Sequence, residues 1–301
     1  MRVAAIDCGT NTIKLLIGDL PDVAVRKMRM VRLGEGVDRS GELSEAALAR
    51  TFAALDEYAA LIREHGVTRV RFVATSATRD ARNAGVFIAG VRDRLGIDPE
   101  VVTGEEEAAL AYDGAVRSLH PQPAAPVLVV DIGGGSTELI LGTDRPESVV
   151  SLDVGSVRLT ERHLASDPPT ATEVAALTDE VDRLLDGVSV DLTAPATVVG
   201  VAGTITTIAG GVLGLDTDRG PTEPVTLEVA DVQAVVERLV SMTVGERRDL
   251  AWMHPGRADV IAAGALILAR VLRRTSVAEL VVSPTDILDG IAWSLVPTLD
   301  P

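Results

Sequence analysis

Two short segments of this sequence combine an aspartate with a turn of small and hydroxyl-bearing residues, a pattern that suits phosphate chemistry. The first reads Asp-Cys-Gly-Thr-Asn-Thr-Ile-Lys from Asp7 to Lys14, and the second reads Asp-Ile-Gly-Gly-Gly-Ser-Thr-Glu from Asp131 to Glu138. They align without gaps, and in each an apolar strand ends in Asp, a tight turn follows, and a second apolar strand begins. Such turns offer unhindered backbone N–H groups and hydroxyl donors to the oxygens of a phosphate.

The candidate phosphate-binding residues are those that lie in or beside these turns. They are Gly9, Thr10, Asn11, Thr12 and Lys14 in the first segment, and Gly133, Gly134, Gly135, Ser136 and Thr137 in the second. A third glycine turn adds Gly203 and Thr204, since it joins a predicted strand to a predicted helix and helix N-termini bind anions. Plain structural hairpins would also explain the glycines and the asparagine, and a lone strand–helix turn is more often architecture than a site.

The aspartates at the bases of the turns point to a metal ion. A carboxylate repels phosphate, so Asp7 and Asp131 fit beside one only through a hard cation such as Mg²⁺, for which Mn²⁺ is an alternative. Glu138 would complete the coordination shell. Lys14 takes the place of Glu138 in the first segment, which predicts that one half anchors phosphate and the other holds the metal.

The elements that would position these residues occur in a repeated order. The first half predicts strands at 3–7, 12–18, 23–32, 69–74 and 99–102, and helices at 44–64 (with Ser44 as N-cap), 83–95 and 105–118. The second half predicts strands at 126–131, 136–142, 147–154, 197–201 and 278–282, and helices at 171–186, 204–213, 231–242, 257–274 and 286–296. Three prolines between 120 and 126 separate the halves. We therefore expect a duplicated α/β domain, with limits 1–121 and 122–285 and a C-terminal helix at 286–301 that packs back on the first domain.

The composition restricts the partners. A net charge of −16 and an aromatic content of 2% argue against binding nucleic acid through its phosphates or by stacking on its bases. No run of about twenty uninterrupted apolar residues is present, so no membrane span is predicted. Cys8 is the only cysteine, which excludes an intrachain disulfide and fits a cytoplasmic location.

Further motifs extend the pattern beyond the two turns. They are Ala-Thr-Ser-Ala-Thr-Arg-Asp-Ala-Arg-Asn at 74–83, Thr-Gly-Glu-Glu-Glu-Ala at 103–108, Pro-Gly-Arg-Ala-Asp-Val-Ile at 255–261 and Ile-Leu-Asp-Gly at 287–290. Together with the turns, they resemble the exopolyphosphatase/guanosine pentaphosphate phosphatase family over nearly the whole chain. The resemblance implies an α/β fold of two actin-like ATPase (ribonuclease H-like) domains with an active-site cleft between them.

The resemblance also implies roles for individual side chains. The family's general base is the glutamate that precedes Ala in the Gly-x-Glu-Glu-Ala motif, which is Glu107 here. From the residues alone, the acids at 105–107 could simply stabilise a helix N-terminus, and Glu106 competes for the role. The apolar neighbours of Glu107 would raise its pKa towards a useful value. Arg79, with Thr75 and Asn83 nearby, is implied to contact the transferred phosphate, although a surface arginine is the alternative.

The implied activity is Mg²⁺-dependent hydrolysis of the terminal phosphate of inorganic polyphosphate. Guanosine pentaphosphate is the alternative substrate, and the rival functions are a kinase on the same scaffold and a non-catalytic alarmone or polyphosphate sensor. We expect short to medium polyphosphate to be favoured, because few aromatics are present to stack on a guanine. Longer relatives also add a C-terminal helical domain that this sequence of 301 residues does not contain. A homodimer would be consistent with the family.

Overall fold

The computed structural model describes residues 1–296, which divide into two compact units. Unit 1 comprises Met1–Gly114 and the chain from Ile287 onward, and unit 2 comprises Ala115–Asp286. The domain limits expected from the sequence, 1–121 and 122–285, stay a prediction.

Unit 1 is a five-stranded mixed sheet with helices. Its elements are β1 (Val3–Cys8), β2 (Thr12–Asp19), β3 (Asp22–Met30), α1 (Val37–Ser40), α2 (Glu45–Glu64), β4 (Arg69–Ala74), α3 (Ser76–Asp80), α4 (Ala84–Leu95), β5 (Glu100–Val101), α5 (Gly104–Arg117, of which the residues from Ala115 fall in unit 2) and the last helix, α12 (Ile287–Ser294). The strand order is β3-β2-β1-β4-β5. The first three strands form an antiparallel meander, and β4 and β5 add in parallel.

Unit 2 repeats this arrangement with one extra strand. Its elements are β6 (Val127–Ile132), β7 (Thr137–Gly142), β8 (Pro146–Leu152), α6 (Ser156–His163), α7 (Ala171–Leu185), β9 (Thr197–Val201), α8 (Ala202–Leu213), β10 (Val225–Glu228), α9 (Val229–Ser241), α10 (Val244–Arg248), α11 (Ile261–Leu272) and β11 (Glu279–Val282). The order is β10-β11-β9-β6-β7-β8. Strands β8, β7, β6, β9 and β11 therefore correspond to the five strands of unit 1. The predicted fold class, two ribonuclease H-like α/β domains of the actin-like type, is confirmed.

The central strands place the site residues at the ends of buried elements. All residues of β1 and β6 are buried, as expected for apolar strands covered on both faces. Each strand carries its aspartate one residue before its last position, and the turn follows at once. The predicted N-cap of α2 is confirmed, since the Ser44 side chain accepts a hydrogen bond from the Ala47 N–H.

Most of the elements that the sequence failed to predict are short. The sequence did not predict α1, α3, α6, α10 or β10, because elements of four to eight residues show too little periodicity. The predicted helix 257–274 begins only at Ile261, after a series of turns. The last helix ends at Ser294, and residues 297–301 of the predicted helix 286–301 lie outside the described residues. Within the described chain, no helix is both long and apolar enough to cross a membrane.

Candidate functional site

The first turn holds its backbone carbonyl groups away from a potential ligand. The Gly9 N–H donates to the Thr12 carbonyl at 3.0 Å and closes the turn. The carbonyls of Thr10 and Asn11 accept hydrogen bonds from the following segment, residues 31–34. In the described chain the backbone N–H groups of Thr10 and Asn11 have no protein acceptor. The turn is therefore a donor-rich concavity that suits an anion.

The second turn is closed and braced in the same way. The Gly133 N–H donates to the Ser136 carbonyl at 3.0 Å. The Gly134 carbonyl accepts from the backbone N–H groups of Val157 and Arg158 at the start of α6, at 2.8 and 3.1 Å. Over the residues that the structure describes, the N–H groups of Gly134, Gly135 and Ser136 donate to no protein acceptor. Both sequence-predicted turns thus have backbone N–H groups that donate to no acceptor among the described residues, and their binding of phosphate stays a prediction.

Gly155, which the sequence analysis did not select, makes this brace possible. A Cβ atom there would lie 2.5 Å from the carbonyl carbon and oxygen of Gly134 and 2.6 Å from the Gly135 nitrogen. Only glycine lets the start of α6 approach the turn so closely. In the sequence, this position is marked only by the pair Gly155-Ser156 after the third strand of the second half.

Hydroxyl groups near the turns have mixed roles. The Thr10 and Ser76 hydroxyls hydrogen-bond to each other at 2.9 Å in a buried position. Thr137, which was predicted to bind phosphate, donates its hydroxyl to the Val154 carbonyl at 2.7 Å and is fully buried. Its side chain therefore serves the fold, and a phosphate could use only the turn before it.

Of the three consecutive glutamates at 105–107, Glu107 is the one that is buried. It is 8% exposed, whereas Glu105 and Glu106 are exposed. Burial raises the pKa of Glu107 to about 7, despite the opposing effects of Arg79 and Thr75, and the nearby Asp7 charge raises it further. A carboxyl group with a pKa near neutrality can accept a proton at physiological pH.

Glu106 has a different environment. Its carboxylate lies 2.8 Å from Arg71, which also pairs with Glu100. Glu106 is thus an exposed member of an ion-pair network with Arg71 and Glu100. The geometry thus favours Glu107 over Glu106.

Arg79 holds the Glu107 carboxylate from the end of α3. Its Nη1 is 3.1 Å from Glu107 Oε2 and donates to the Val102 carbonyl at 3.0 Å. Thr75 also hydrogen-bonds Glu107, and the Thr75 hydroxyl lies 3.8 Å from where a Cβ on Gly9 would be. The base, the arginine and the first turn are therefore brought together.

Asn83, which the sequence placed near Arg79, hydrogen-bonds the backbone of a different segment. Its side-chain oxygen accepts from the Leu43 N–H at 2.8 Å and its amide nitrogen donates to the Leu43 carbonyl at 2.9 Å. Both ends of the amide are occupied by the backbone of Leu43, so the Asn83 side chain fixes the local fold.

The two hairpins differ in the residue opposite each aspartate. Lys14 pairs with Asp7 in the β1–β2 register, and its Nζ is 3.1 Å from Asp7 Oδ2. The predicted phosphate-binding lysine therefore neutralises the predicted metal-binding aspartate of the same hairpin. This makes Asp7 a weaker candidate for a metal ligand than the sequence suggested.

Glu138 lies directly opposite Asp131 in the β6–β7 register, so both carboxylates project from the same face of the sheet. Both are buried, and Glu138 accepts a hydrogen bond from the Ser151 hydroxyl at 2.7 Å. Over residues 1–296, no group of three or more His, Cys, Asp or Glu side chains is arranged to hold a metal ion. Mg²⁺ usually needs only one or two carboxylates besides water and substrate phosphates, and this buried pair of like charges fits that requirement.

The third glycine turn is covered by an arginine. Ala202 adopts a left-handed φ of 66°, and a Cβ on Gly203 would lie 2.5 Å from Arg257 Nη2. The guanidinium thus lies on the first turn of α8, where phosphate was predicted. Thr204 is buried and packs closely against Gly264 of α11. Phosphate binding by Gly203 and Thr204 stays a prediction, and Arg257 is the cation at this position.

Comparison with known proteins gives a consistent result. The sequence profile of the Ppx/GppA phosphatase family matches residues 16–299. Exopolyphosphatase 2 of Mycobacterium tuberculosis is 47% identical over 315 residues, covering 98% of each chain. Guanosine-5′-triphosphate,3′-diphosphate pyrophosphatase of Vibrio cholerae is 30% identical over 303 residues, covering 98% of this chain and 59% of that protein.

A solved structure agrees with this in three dimensions. The crystal structure of an exopolyphosphatase-like protein superposes with a TM-score of 0.94 at 40% identity, covering 97% of this chain and 98% of that one. The match covers nearly the whole length of both chains. The chain therefore belongs to the Ppx/GppA phosphatase family.

Proposed function

We propose that this protein is an exopolyphosphatase that hydrolyses the terminal phosphate of inorganic polyphosphate with Glu107 as general base. The observation that carries the proposal is the buried Glu107 carboxyl group, whose pKa is raised to about 7 beside Arg79 and the first turn. The similarity to exopolyphosphatase 2 of M. tuberculosis supports the choice of substrate.

The reaction needs a proton acceptor and a cation at the transferred phosphoryl group. Glu107 takes a proton from a water molecule whose oxygen forms a bond to the terminal phosphorus. The bridging P–O bond breaks, its electron pair leaves with the shortened chain, and orthophosphate is released. Arg79 lies beside the base and offers a planar fork of donors to the phosphoryl oxygens as charge develops on them.

The turns supply the binding contacts. The N–H groups of Thr10 and Asn11 in unit 1, and those of Gly134, Gly135 and Ser136 in unit 2, are directed to phosphate oxygens in this proposal. Backbone donors suit an acidic protein of net charge −16, because they bind phosphate without adding formal charge. Arg257, whose guanidinium lies against Gly203 at the start of α8, is a further cation that could bind the polyphosphate.

Asp131 and Glu138 are the residues that would hold Mg²⁺. The ion, when bound, neutralises the phosphate oxygens and orients them. Within the protein, the strand register fixes the two carboxylates on one face, and Ser151 orients Glu138 by its hydrogen bond. Asp7 is the third carboxylate proposed from the sequence, and its ion pair with Lys14 gives it a secondary role.

Guanosine pentaphosphate is the second candidate substrate, because the V. cholerae relative is named for it. The low aromatic content of 2% favours polyphosphate, since it leaves few side chains to stack on a guanine. We propose that short to medium chains are preferred.

Orthophosphate release should be measured on polyphosphates of several lengths, guanosine pentaphosphate and ATP, each with and without Mg²⁺. The proposal expects the highest kcat/KM for a short or medium polyphosphate and no turnover without the ion. A higher kcat/KM for guanosine pentaphosphate would move the function to alarmone hydrolysis. Tight binding of polyphosphate without turnover under any condition would indicate a sensor.

A further inference from the structure

The last helix, α12, touches the backbone of the helix that carries Glu107. A Cβ atom on Gly290 of α12 would lie only 2.0 Å from the Leu110 carbonyl oxygen and 2.8 Å from its carbonyl carbon. Leu110 lies one helical turn after Glu107 on α5. At this point the two helices are in direct backbone contact, which no side chain at position 290 would allow.

Polar contacts fix α12 in this place at both ends. Asp289 accepts two hydrogen bonds from the Arg26 guanidinium on β3, and its side chain is almost fully buried. Ser294 accepts from Arg71 Nη1 at 2.9 Å, and the other terminal nitrogen of Arg71 lies 2.8 Å from Glu106 on α5. The helix is therefore held to the sheet and, through Arg71, to α5.

Apolar packing fills the space between these contacts. Ile287, Leu288, Ile291 and Ala292 of α12 form one buried cluster with Ala111 of α5 and residues of β1, β2 and β4. A close-packed cluster of this kind transmits a displacement rather than absorbing it. A shift of α12 would therefore move α5.

We infer that Gly290 is a positioning residue for the general base, and that α12 sets the depth at which α5 presents Glu107 to Arg79 and Thr75. The inference rests on the proposed function for the role of Glu107. A methyl group at 290 must push α12 and α5 apart by about 1 Å to reach an ordinary contact distance, and a displacement of that size can cost about 100-fold in rate.

The test is Gly290→Ala, compared with Gly18→Ala as a matched control. A Cβ at Gly18 would lie 2.4 Å from the Asp22 carbonyl oxygen, so it meets the same kind of backbone clash in unit 1, but at the far end of β2 from its turn. With the preferred phosphate substrate, Gly290→Ala should lower kcat at least tenfold and leave KM within about twofold. Gly18→Ala should lower the melting temperature comparably and leave kcat within about twofold. An unchanged kcat in folded Gly290→Ala, or equal losses in both variants, would overturn the inference.

If Gly290→Ala does not fold, Ile291→Val provides the same test with one methyl group removed. Amide hydrogen exchange in α5 should become faster in Ile291→Val, with a lower kcat, whereas Ile62→Val in α2 should change neither. Unchanged hydrogen exchange in α5 would overturn the inference whatever the effect of the variant on turnover.

The inference and the proposed function can fail separately. Loss of turnover in Glu107→Gln, together with normal turnover in Gly290→Ala, would reject the inference and keep the proposed function. Normal turnover in Glu107→Gln would reject the proposed function itself.

Discussion

Lys14 lies directly opposite Asp7 across β1 and β2, with its Nζ 3.1 Å from Asp7 Oδ2. In the second hairpin the corresponding pair is Asp131 and Glu138. The position opposite the aspartate is therefore a lysine in the first hairpin and a glutamate in the second. The first hairpin thus pairs an aspartate with a lysine, whereas the second places two acidic residues opposite each other. We propose that this exchange of one residue makes one half of the repeat bind phosphate and the other bind metal.

The ion pair of the first hairpin should be visible in folding stability. Lys14→Met leaves the buried Asp7 carboxylate without its partner and should lower the free energy of unfolding by about 3 kcal/mol. The double variant Asp7→Asn/Lys14→Met should recover part of that loss, because no charge is then left uncompensated. Chemical denaturation of the two single variants and the double variant measures this coupling. Strictly additive losses would show that the pair contributes no interaction energy.

Glu107→Gln should lower turnover by a factor of about 10²–10⁴ and leave folding and substrate binding nearly unchanged, since it removes the proton acceptor and keeps the shape. Glu106→Gln is the matched control, because the same change is made one residue earlier on an exposed side chain. Steady-state phosphate release, with binding measured separately, distinguishes them. A severe defect in Glu106→Gln with a mild one in Glu107→Gln would assign the base to Glu106.

The pH dependence should report the Glu107 carboxyl group. A general base works only when deprotonated, so kcat/KM should rise as the pH rises through about 7, the value to which burial raises the pKa of Glu107 in the free protein. The Arg79 charge opposes that increase in pKa, so Arg79→Gln should move the rise in kcat/KM to higher pH as well as lower its plateau. Arg82→Gln, in the same segment but largely exposed and paired with Glu42, should leave the midpoint unchanged. A midpoint that stays fixed in Arg79→Gln would separate Arg79 from the ionisation that controls the rate.

Asp131→Asn should raise the Mg²⁺ concentration needed for half-maximal activity, because one carboxylate of the Asp131–Glu138 pair is lost and the turn is kept. Asp144→Asn makes the same change at an exposed position of the β7–β8 turn and should have no effect. Titration of activity with Mg²⁺ measures the shift. An unaltered Mg²⁺ dependence in folded Asp131→Asn would remove this residue from the metal site.

Gly155→Ala should weaken substrate binding, because a methyl group there collides with Gly134 and Gly135 and displaces the second turn. Loss of one hydrogen bond to a charged phosphate, worth about 1.5–3 kcal/mol, corresponds to a rise in KM of roughly tenfold or more. Gly142→Ala introduces a similar clash, 2.1 Å from the Arg145 carbonyl oxygen, at the other end of β7. If both variants raise KM equally, general destabilisation of unit 2 is the cause.

Much of the architecture follows from local patterns in the sequence. The apolar strand that ends in Asp before a glycine-rich turn occurs twice, and both copies fold into the predicted hairpins with Gly9–Thr12 and Gly133–Ser136 closed by the same hydrogen bond. Ser44 begins its helix as expected. Such features depend on neighbours within a few residues, whose conformational preferences and alternation of polarity can be read directly from the chain.

The repeated α/β order, the two glycine-rich turns and the acids beside them could therefore be predicted from local sequence patterns. Other features depend on contacts between distant segments. They are the burial of Glu107 among three consecutive glutamates, the ion pair of Lys14 with Asp7, the hydrogen bonds of Asn83 to the Leu43 backbone, and the contact of Gly290 with the helix of Glu107. Desolvation and charge pairing are set by groups that approach from distant parts of the chain. The three glutamates share one local sequence, but α5 buries Glu107 and leaves Glu106 exposed, and this burial raises the pKa of Glu107.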